Sequence, residues 1–115
     1  MKTELKDVRV CAAVDVSPGT AKRFNIEHHR LAVVHIGDSW YVIGDRCSHA
    51  DVSLASGDVL ADECAIECWK HGSTFSLLTG EAQTLPATKP VPVYDVELRA
   101  GHIYVSSRPG SLDDE

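Results

Sequence analysis

Two short motifs, each with a cysteine followed closely by a histidine, constrain this chain more than any other feature. Cys47-Ser48-His49 and Cys68-Trp69-Lys70-His71 are separated by 18 residues. Each motif comes with a short apolar run of strand length, at residues 40–43 and 65–68. If the four side chains bind one metal centre, the fold has to bring two loops together at one end of a sheet.

The order of the four side chains helps to choose the metal. Two thiolates and two imidazoles suit zinc or the iron of an iron–sulfur cluster. Zinc modules usually group Cys with Cys and His with His, whereas each motif here is mixed. One thiolate and one imidazole from each loop suit a cluster with unequal irons, one held by two Cys and the other by two His. Cys47, His49, Cys68 and His71 are therefore the predicted ligands, and a zinc-stabilised interaction module without a redox role is the alternative.

Short apolar runs elsewhere predict an all-β fold. Turn signals such as Gly37-Asp38 and Ala100-Gly101 separate the runs at spacings that leave no room for helices. The pattern indicates a compact antiparallel sandwich or barrel. The predicted strands are residues 8–14, 31–36, 40–43, 65–68, 91–98 and 103–105.

Length and charge limit the organisation and the partners. A chain of 115 residues fits one domain, predicted over residues 1–105, and the polar segment 106–115 predicts a flexible acidic tail. The net charge of −6, without a basic run, disfavours nucleic acid and anionic membranes. No stretch approaches the roughly 20 apolar residues of a membrane helix, so we expect a monomeric cytoplasmic protein.

Four cysteines in a cytoplasmic chain indicate metal ligation more than disulfides, because the cytosol keeps thiols reduced. Two of the four belong to the motifs. Cys11 and Cys64 lie in or next to apolar strands, where a free cysteine behaves as a small hydrophobic residue. We therefore expect neither of them to be a ligand.

The motifs and their surroundings resemble Rieske ferredoxins. The likeness includes Gly72, Phe75, the Thr79-Gly80 turn, Pro86-Ala87 and Tyr94-Asp95-Val96, and covers roughly residues 8 to 105. The resemblance implies an antiparallel β-sandwich of small barrels with a cluster-binding subdomain of two loops. It also implies one [2Fe–2S] cluster per chain, bound by the four predicted ligands.

Residues around the motifs indicate which branch of the family is the more similar. Val52 and Lys70 stand where high-potential Rieske proteins carry a pair of disulfide-forming cysteines. Ser73 matches a serine that hydrogen-bonds a cluster sulfur in that branch, but Phe75 replaces the tyrosine that does the same. Losing a donor to sulfur destabilises the added electron, so the resemblance implies a reduction potential in the lower part of the Rieske range. Gly72, Trp69 and Lys70 complete the predicted surroundings of the cluster.

The resemblance implies a soluble one-electron carrier in a multicomponent bacterial dioxygenase system. Its expected partners are a flavin-dependent ferredoxin reductase and a terminal oxygenase or another acceptor. The chain itself is too short to hold a mononuclear iron domain, so we expect no catalytic activity of its own. The family also includes small subunits of nitrite reductases, some of which lack ligands. Residues 67–94 also resemble Rieske-like ferredoxins of iron–sulfur assembly operons, which names a different partner for the same chemistry.

Overall fold

The structure is a computed structural model that describes residues 5–26, 29–47, 52–70, 72–84 and 89–107. These segments contain strands joined by tight turns and by three-residue 3₁₀ helices. No helix among them has the length and apolar character needed to cross a membrane. In chain order the elements are β1 (Val8–Ala12), a 3₁₀ helix (Ala13–Asp15), β2 (Thr20–Ile26), β3 (His29–Ile36), β4 (Ser39–Gly44), a 3₁₀ helix (Leu54–Ser56), β5 (Asp58–Leu60), a 3₁₀ helix (Ala61–Glu63), β6 (Ala65–Glu67), β7 (Thr74–Ser76), β8 (Val93–Arg99) and β9 (His102–Ser107).

The strands form two antiparallel sheets. The larger sheet has the order β1-β9-β8-β4-β3-β2, and the smaller one has the order β5-β6-β7. The predicted all-β antiparallel architecture is confirmed. The small sheet carries one of the two motif loops, as the predicted cluster-binding subdomain requires.

Sequence patterns missed three of the strands, and the reason differs between them. β2 carries Lys22, Arg23 and Asn25 among its seven residues, so no continuous apolar run marks it. It is held by pairing with β3 along its whole length, from Thr20 opposite His35 to Ile26 opposite His29. β5 and β7 have only three residues each and are ordered by pairing with β6.

Strand β3 lies between two hydrophobic cores and is therefore buried on both of its faces. Leu31 and Val33 belong to one core, and Ala32 and Val34 belong to the other. This alternation follows from the period of two along a strand. The core of the large sheet contains Leu5, Cys11, Val16, Leu31, Val33, Val42, Tyr94, Ile103 and Val105. The second core, which we call the loop core, contains Ala32, Val34, Ile43, Cys47, Leu54, Ile66, Cys68, Phe75, Leu77, Val91 and Val93.

The last strand extends further than the sequence indicated. β9 continues to Ser107, so Ser106 and Ser107, the first two residues of the predicted tail, lie in the sheet. Their hydroxyls accept hydrogen bonds from the main-chain N–H groups of Asp7, at 2.8 Å, and Leu5, at 2.9 Å. The rest of the predicted tail, residues 108–115, lies outside the described residues.

Candidate metal centre

The cysteines of the two motifs lie in the same core. Cys47 follows β4 after two residues, and Cys68 follows β6 directly. Their side chains are 2% and 1% exposed, both belong to the loop core, and neither is in a disulfide. The structure thus brings the two predicted cysteine ligands into one buried region. The predicted ligands His49 and His71 lie outside the described residues.

The two motif loops are closed in the same way. Before the first loop, Arg46 pairs with Ser53 in an antiparallel bridge, and the N–H of Cys47 donates to the carbonyl of Val52 at 3.1 Å. Cys47 therefore stands at the start of a hairpin loop, and its N–H donates to the residue five positions further along the chain. Cys68 has the same position in the second loop.

In the second loop the pairing residues are Glu67 and Thr74, which face each other across β6 and β7. The N–H of Cys68 donates to the carbonyl of Ser73 at 2.7 Å. Because the main-chain N–H of each cysteine is satisfied inside its loop, the chain can bury both cysteines without an unpaired donor. The repeated closure leaves two matched thiol positions at the base of the two loops.

A buried carboxylate anchors the first loop. Asp45 is fully buried, and its Oδ1 accepts a hydrogen bond from the N–H of Ala55 at 2.9 Å. Its carbonyl accepts the N–H of Leu54 at 2.6 Å, and its own N–H donates to the carbonyl of Arg30 at 2.9 Å. These bonds hold the 3₁₀ helix Leu54–Ser56 against the end of β4. From the sequence, Asp45 is only part of a Gly44-Asp45 turn. The available signal is an acid that directly follows a buried strand and stands two residues before a predicted ligand.

A threonine anchors the second loop from outside. The hydroxyl of Thr84 accepts the N–H of Thr74 at 2.9 Å and donates to the carbonyl of Gly72 at 3.4 Å. Gly72 itself has φ of +77°, in the left-handed region that favours glycine. No local pattern marks Thr84, because it reaches the loop from 12 residues away along the chain.

The chain segments next to the two loops meet at a close main-chain contact. A Cβ built on Gly57 would lie 1.8 Å from the carbonyl oxygen of Glu67, the residue before Cys68. Only glycine allows this approach between the segment that follows the first loop and the strand that leads to the second. Gly57 therefore fixes how closely the two loops lie to one another.

Some of the residues predicted to surround the metal centre are buried, and others are exposed to solvent. Ser73 and Phe75 are fully buried, and Val52 is half-buried against the loop core. Trp69, between the second cysteine and Lys70, is 58% exposed. The buried pair can tune a bound group, whereas the exposed tryptophan is available to a partner.

Negative charge is concentrated on the part of the chain that carries the second loop. Within the described residues 52–70 and 72–84, Lys70 is the one basic side chain beside five acids. Asp58 of β5 stands directly opposite Glu67 of β6, an arrangement of like charges that costs stability. We refer to these five acids together as the acidic group: Asp58, Asp62, Glu63, Glu67 and Glu81.

The other two cysteines lie apart from this pair. Cys11 is in the core of the large sheet, where burial and, secondarily, the charge of Asp15 raise the pKa of its thiol. Cys64 is partly buried beside the loop core and hydrogen-bonds Tyr41, which raises the pKa of that phenol. Cys11 matches its prediction as a small buried residue, while Cys64 also makes a polar contact that the sequence did not indicate.

The described half of the donor set fits an iron held by two cysteines. Cys47 and Cys68 are buried, are not disulfide-bonded, and lie at matching positions of two loops that converge on one core. Thiolates in such a shielded place are suitable ligands for iron or zinc. The geometry of the two cysteines alone does not choose between these metals.

Comparison with known proteins supplies that choice. Residues 6–95 match the family described as Rieske [2Fe-2S] domain. Ferredoxin CarAc of Metapseudomonas resinovorans is 40% identical over 100 residues, which cover 86% of this chain and 92% of that protein. The solved ferredoxin of carbazole 1,9a-dioxygenase from Nocardioides aromaticivorans is 35% identical, with a TM-score of 0.84, over 90% of this chain and 99% of that one. A ferredoxin solved in complex with the oxygenase of carbazole 1,9a-dioxygenase is 40% identical, with a TM-score of 0.78, over 86% and 91% of the two chains.

Proposed function

The chain belongs to the Rieske [2Fe-2S] family, and from this premise we propose that it carries single electrons from a reductase to a terminal oxygenase. The observation that carries the proposal is the placement of two buried cysteines, neither of them in a disulfide, at matching positions of two loops. The match to this chain covers 92% and 99% of two relatives that are named as ferredoxins, so little of those relatives remains for a catalytic domain. The carrier role is thus the activity that a chain of this kind supports.

We assign Cys47 and Cys68 to one iron of a [2Fe–2S] cluster and His49 and His71 to the other. When bound, the cluster supplies one-electron redox chemistry. The loop core shields the two cysteines from water, and the N–H bonds to Val52 and Ser73 hold their backbone. The family match favours this assignment over a structural zinc site.

The proposed acceptor is the oxygenase of a dioxygenase system. One relative was solved in complex with the oxygenase of its own system, which supports the same class of partner here. The proposed donor is a flavin-dependent ferredoxin reductase. The acidic group and the exposed ring of Trp69 suit a partner whose docking surface is basic with an apolar centre.

The cofactor is tested on the purified protein by iron analysis, visible absorption and EPR after reduction with dithionite. We expect two irons per chain, a red-brown protein and a Rieske-type EPR signal. A colourless protein with one zinc per chain would overturn the carrier role in favour of an interaction module.

The carrier role needs a second experiment with partners. We expect NADH-dependent reduction of the protein by a flavin-dependent ferredoxin reductase, followed by reoxidation when a dioxygenase-type terminal oxygenase and its substrate are added. The control is the same mixture without the reductase. A cluster that such reductases leave oxidised while dithionite reduces it would remove the proposed donor.

We further propose that the protein is monomeric and cytoplasmic. The net charge of −6 favours mutual repulsion of copies at low salt. Light scattering of the cluster-bound protein and cell fractionation test the two statements, and a stable dimer or a membrane-bound pool would contradict them.

A further inference from the structure

We propose that Asp45 is a positioning residue for the Cys47 loop, and that its buried charge, opposed by Arg30, lowers the reduction potential of the bound cluster. The inference rests on the proposed function, because it concerns the cluster that the two loops hold. It assigns a role to a residue that is neither a predicted ligand nor one of the predicted neighbours Trp69, Lys70, Gly72 and Ser73.

Asp45 connects three parts of the fold within two residues of Cys47. Its N–H donates to the carbonyl of Arg30 in β3, and its carbonyl accepts the N–H of Leu54 beyond the loop. Its side-chain Oδ1 accepts the N–H of Ala55. The loop that contains Cys47 is therefore held at both ends by one residue, which fixes the direction in which it leaves the sheet.

The second carboxylate oxygen has a different environment. Oδ2 of Asp45 is buried and receives no hydrogen bond in the part of the chain that the structure describes. The guanidinium of Arg30 lies 3.7 Å away and is partly exposed, whereas the Asp45 side chain is completely buried. The buried member of this ion pair is therefore the negative one.

Anchoring the loop does not by itself require a charge. An asparagine at position 45 could keep the hydrogen bond from Ala55 through its amide oxygen. It would also avoid the cost of burying a carboxylate whose ion-pair partner, Arg30, is 3.7 Å away and partly exposed. The charge is what an aspartate adds to this anchor beyond what an asparagine would provide. A negative charge in a shielded place near Cys47 raises the energy of an electron added to the cluster, and Arg30 reduces that effect.

Two substitutions test the effect of the charge on the midpoint potential, and a third is their control. Asp45→Asn removes the charge and keeps the acceptor for Ala55, so the midpoint potential should rise. Arg30→Gln removes the opposing charge, so the midpoint should fall. Asp38→Asn is the matched control, since Asp38 is exposed in the turn at the far end of β4. We expect the Asp45→Asn shift to exceed that of the control by about threefold or more, because exposed and distant charges are screened.

Asp45→Ala tests the anchoring. This variant loses the acceptor for Ala55 as well as the charge, so the first loop should hold its ligands less firmly. We expect chelators to remove iron about three to ten times faster than from Asp45→Asn, in proportion to one lost hydrogen bond. Equal rates of iron loss from the two variants would overturn the positioning role.

The midpoint measurements decide the electrostatic part. Asp45→Asn and Asp38→Asn shifts of equal size would overturn it. If Asp45→Asn fails to fold, Arg30→Gln decides alone, and an unchanged or higher midpoint contradicts the inference. Iron content and the EPR signal of the unsubstituted protein are measured first. A protein without a cluster would overturn the proposed function and this inference together, whereas a bound cluster whose midpoint ignores Asp45 would overturn this inference alone.

Discussion

The main-chain N–H of Cys68 donates to the carbonyl of Ser73 at 2.7 Å, closing the loop between them. Cys47 closes its own loop with the same spacing, through Val52. The two motifs differ in length, with histidine two residues after Cys47 but three residues after Cys68. The common closure therefore belongs to the loops and not to the motifs, and it places the two cysteines equivalently despite their different sequences.

Replacing either motif cysteine should abolish the cluster. Cys47→Ser and Cys68→Ser each remove one of the two thiolates that we propose as ligands of one iron, and an alcohol is a much poorer ligand for iron. We expect nearly all of the visible absorption and bound iron to be lost. Cys64→Ser is the control, because Cys64 lies beside the same core without being a proposed ligand. Loss of iron from this control to the same degree would contradict the assignment.

The reduction potential should lie in the lower part of the Rieske range of about −150 to +300 mV. Phe75, fully buried in the loop core, has no hydroxyl to donate to a cluster sulfur. An EPR-monitored redox titration measures the midpoint, and a value near the top of the range would contradict this prediction.

Ser73 should keep the potential above the bottom of that range. The Ser73→Ala variant removes the hydroxyl that the family resemblance assigns to a cluster sulfur, so its midpoint should fall below that of the unsubstituted protein. Ser76→Ala is the comparison, since Ser76 is equally a buried serine but lies in β7 with its hydroxyl bonded to the N–H groups of Leu78 and Thr79. Equal midpoints for both variants would remove Ser73 from the tuning of the cluster.

Gly57→Ala should destabilise the fold and loosen the cluster. The new Cβ would overlap the carbonyl oxygen of Glu67, so the two loops would have to move apart. We expect a loss of about 2–3 kcal/mol in the free energy of unfolding, as for other overpacked sites. Gly37→Asn is the control, since no atom of the described residues lies within 4 Å of its added Cβ and asparagine tolerates its φ of +58°. Denaturant titrations measure both variants. Equal losses in their free energy of unfolding would show that the contact between Gly57 and Glu67 does not contribute to stability.

Stability should fall at alkaline pH through Cys11. Burial first, and then the charge of Asp15, raise its pKa above the ordinary value of 9.0. The unfolded chain therefore loses this proton before the folded one does, and the folded state is penalised as the pH rises toward the folded pKa. The free energy of unfolding should be constant between about pH 7 and 8 and decline above about pH 9. Cys11→Ala should be less stable throughout but decline less steeply, and parallel curves would exclude Cys11 as the cause.

Reduction by the reductase should depend on salt. If the partner presents a basic surface, the rate at low ionic strength should fall severalfold when Asp58 and Asp62 of the acidic group are replaced by asparagine. The matched control replaces Asp95 and Glu97, exposed acids of β8, with their amides. Stopped-flow rates over a range of salt concentrations measure the effect. A rate that responds equally to both pairs of substitutions would mean that net charge matters and that the position of the acidic group does not.

The sequence by itself determined the ligand hypothesis, the family and the all-β architecture. Cysteine and histidine in C-x-H and C-x-x-H spacing are local patterns, and apolar runs such as that of β3 report strands because burial on two faces leaves few polar residues in them. The sequence does not indicate β2, because this strand is stabilised by its pairing with β3 and its own seven residues show no strand pattern.

Only the tertiary structure decided how the two loops are held. Asp45 reaches Ala55 across 10 residues, Thr84 reaches Gly72 across 12, and Gly57 meets Glu67 at a distance that permits no side chain. Aspartate, threonine and glycine are ordinary residues of turns, so nothing in their local sequence distinguishes an anchor from a surface turn. Their roles arise from non-local contacts that exist only when two sheets are packed together, because hydrogen bonding and steric exclusion depend on distance in space and not on spacing along the chain.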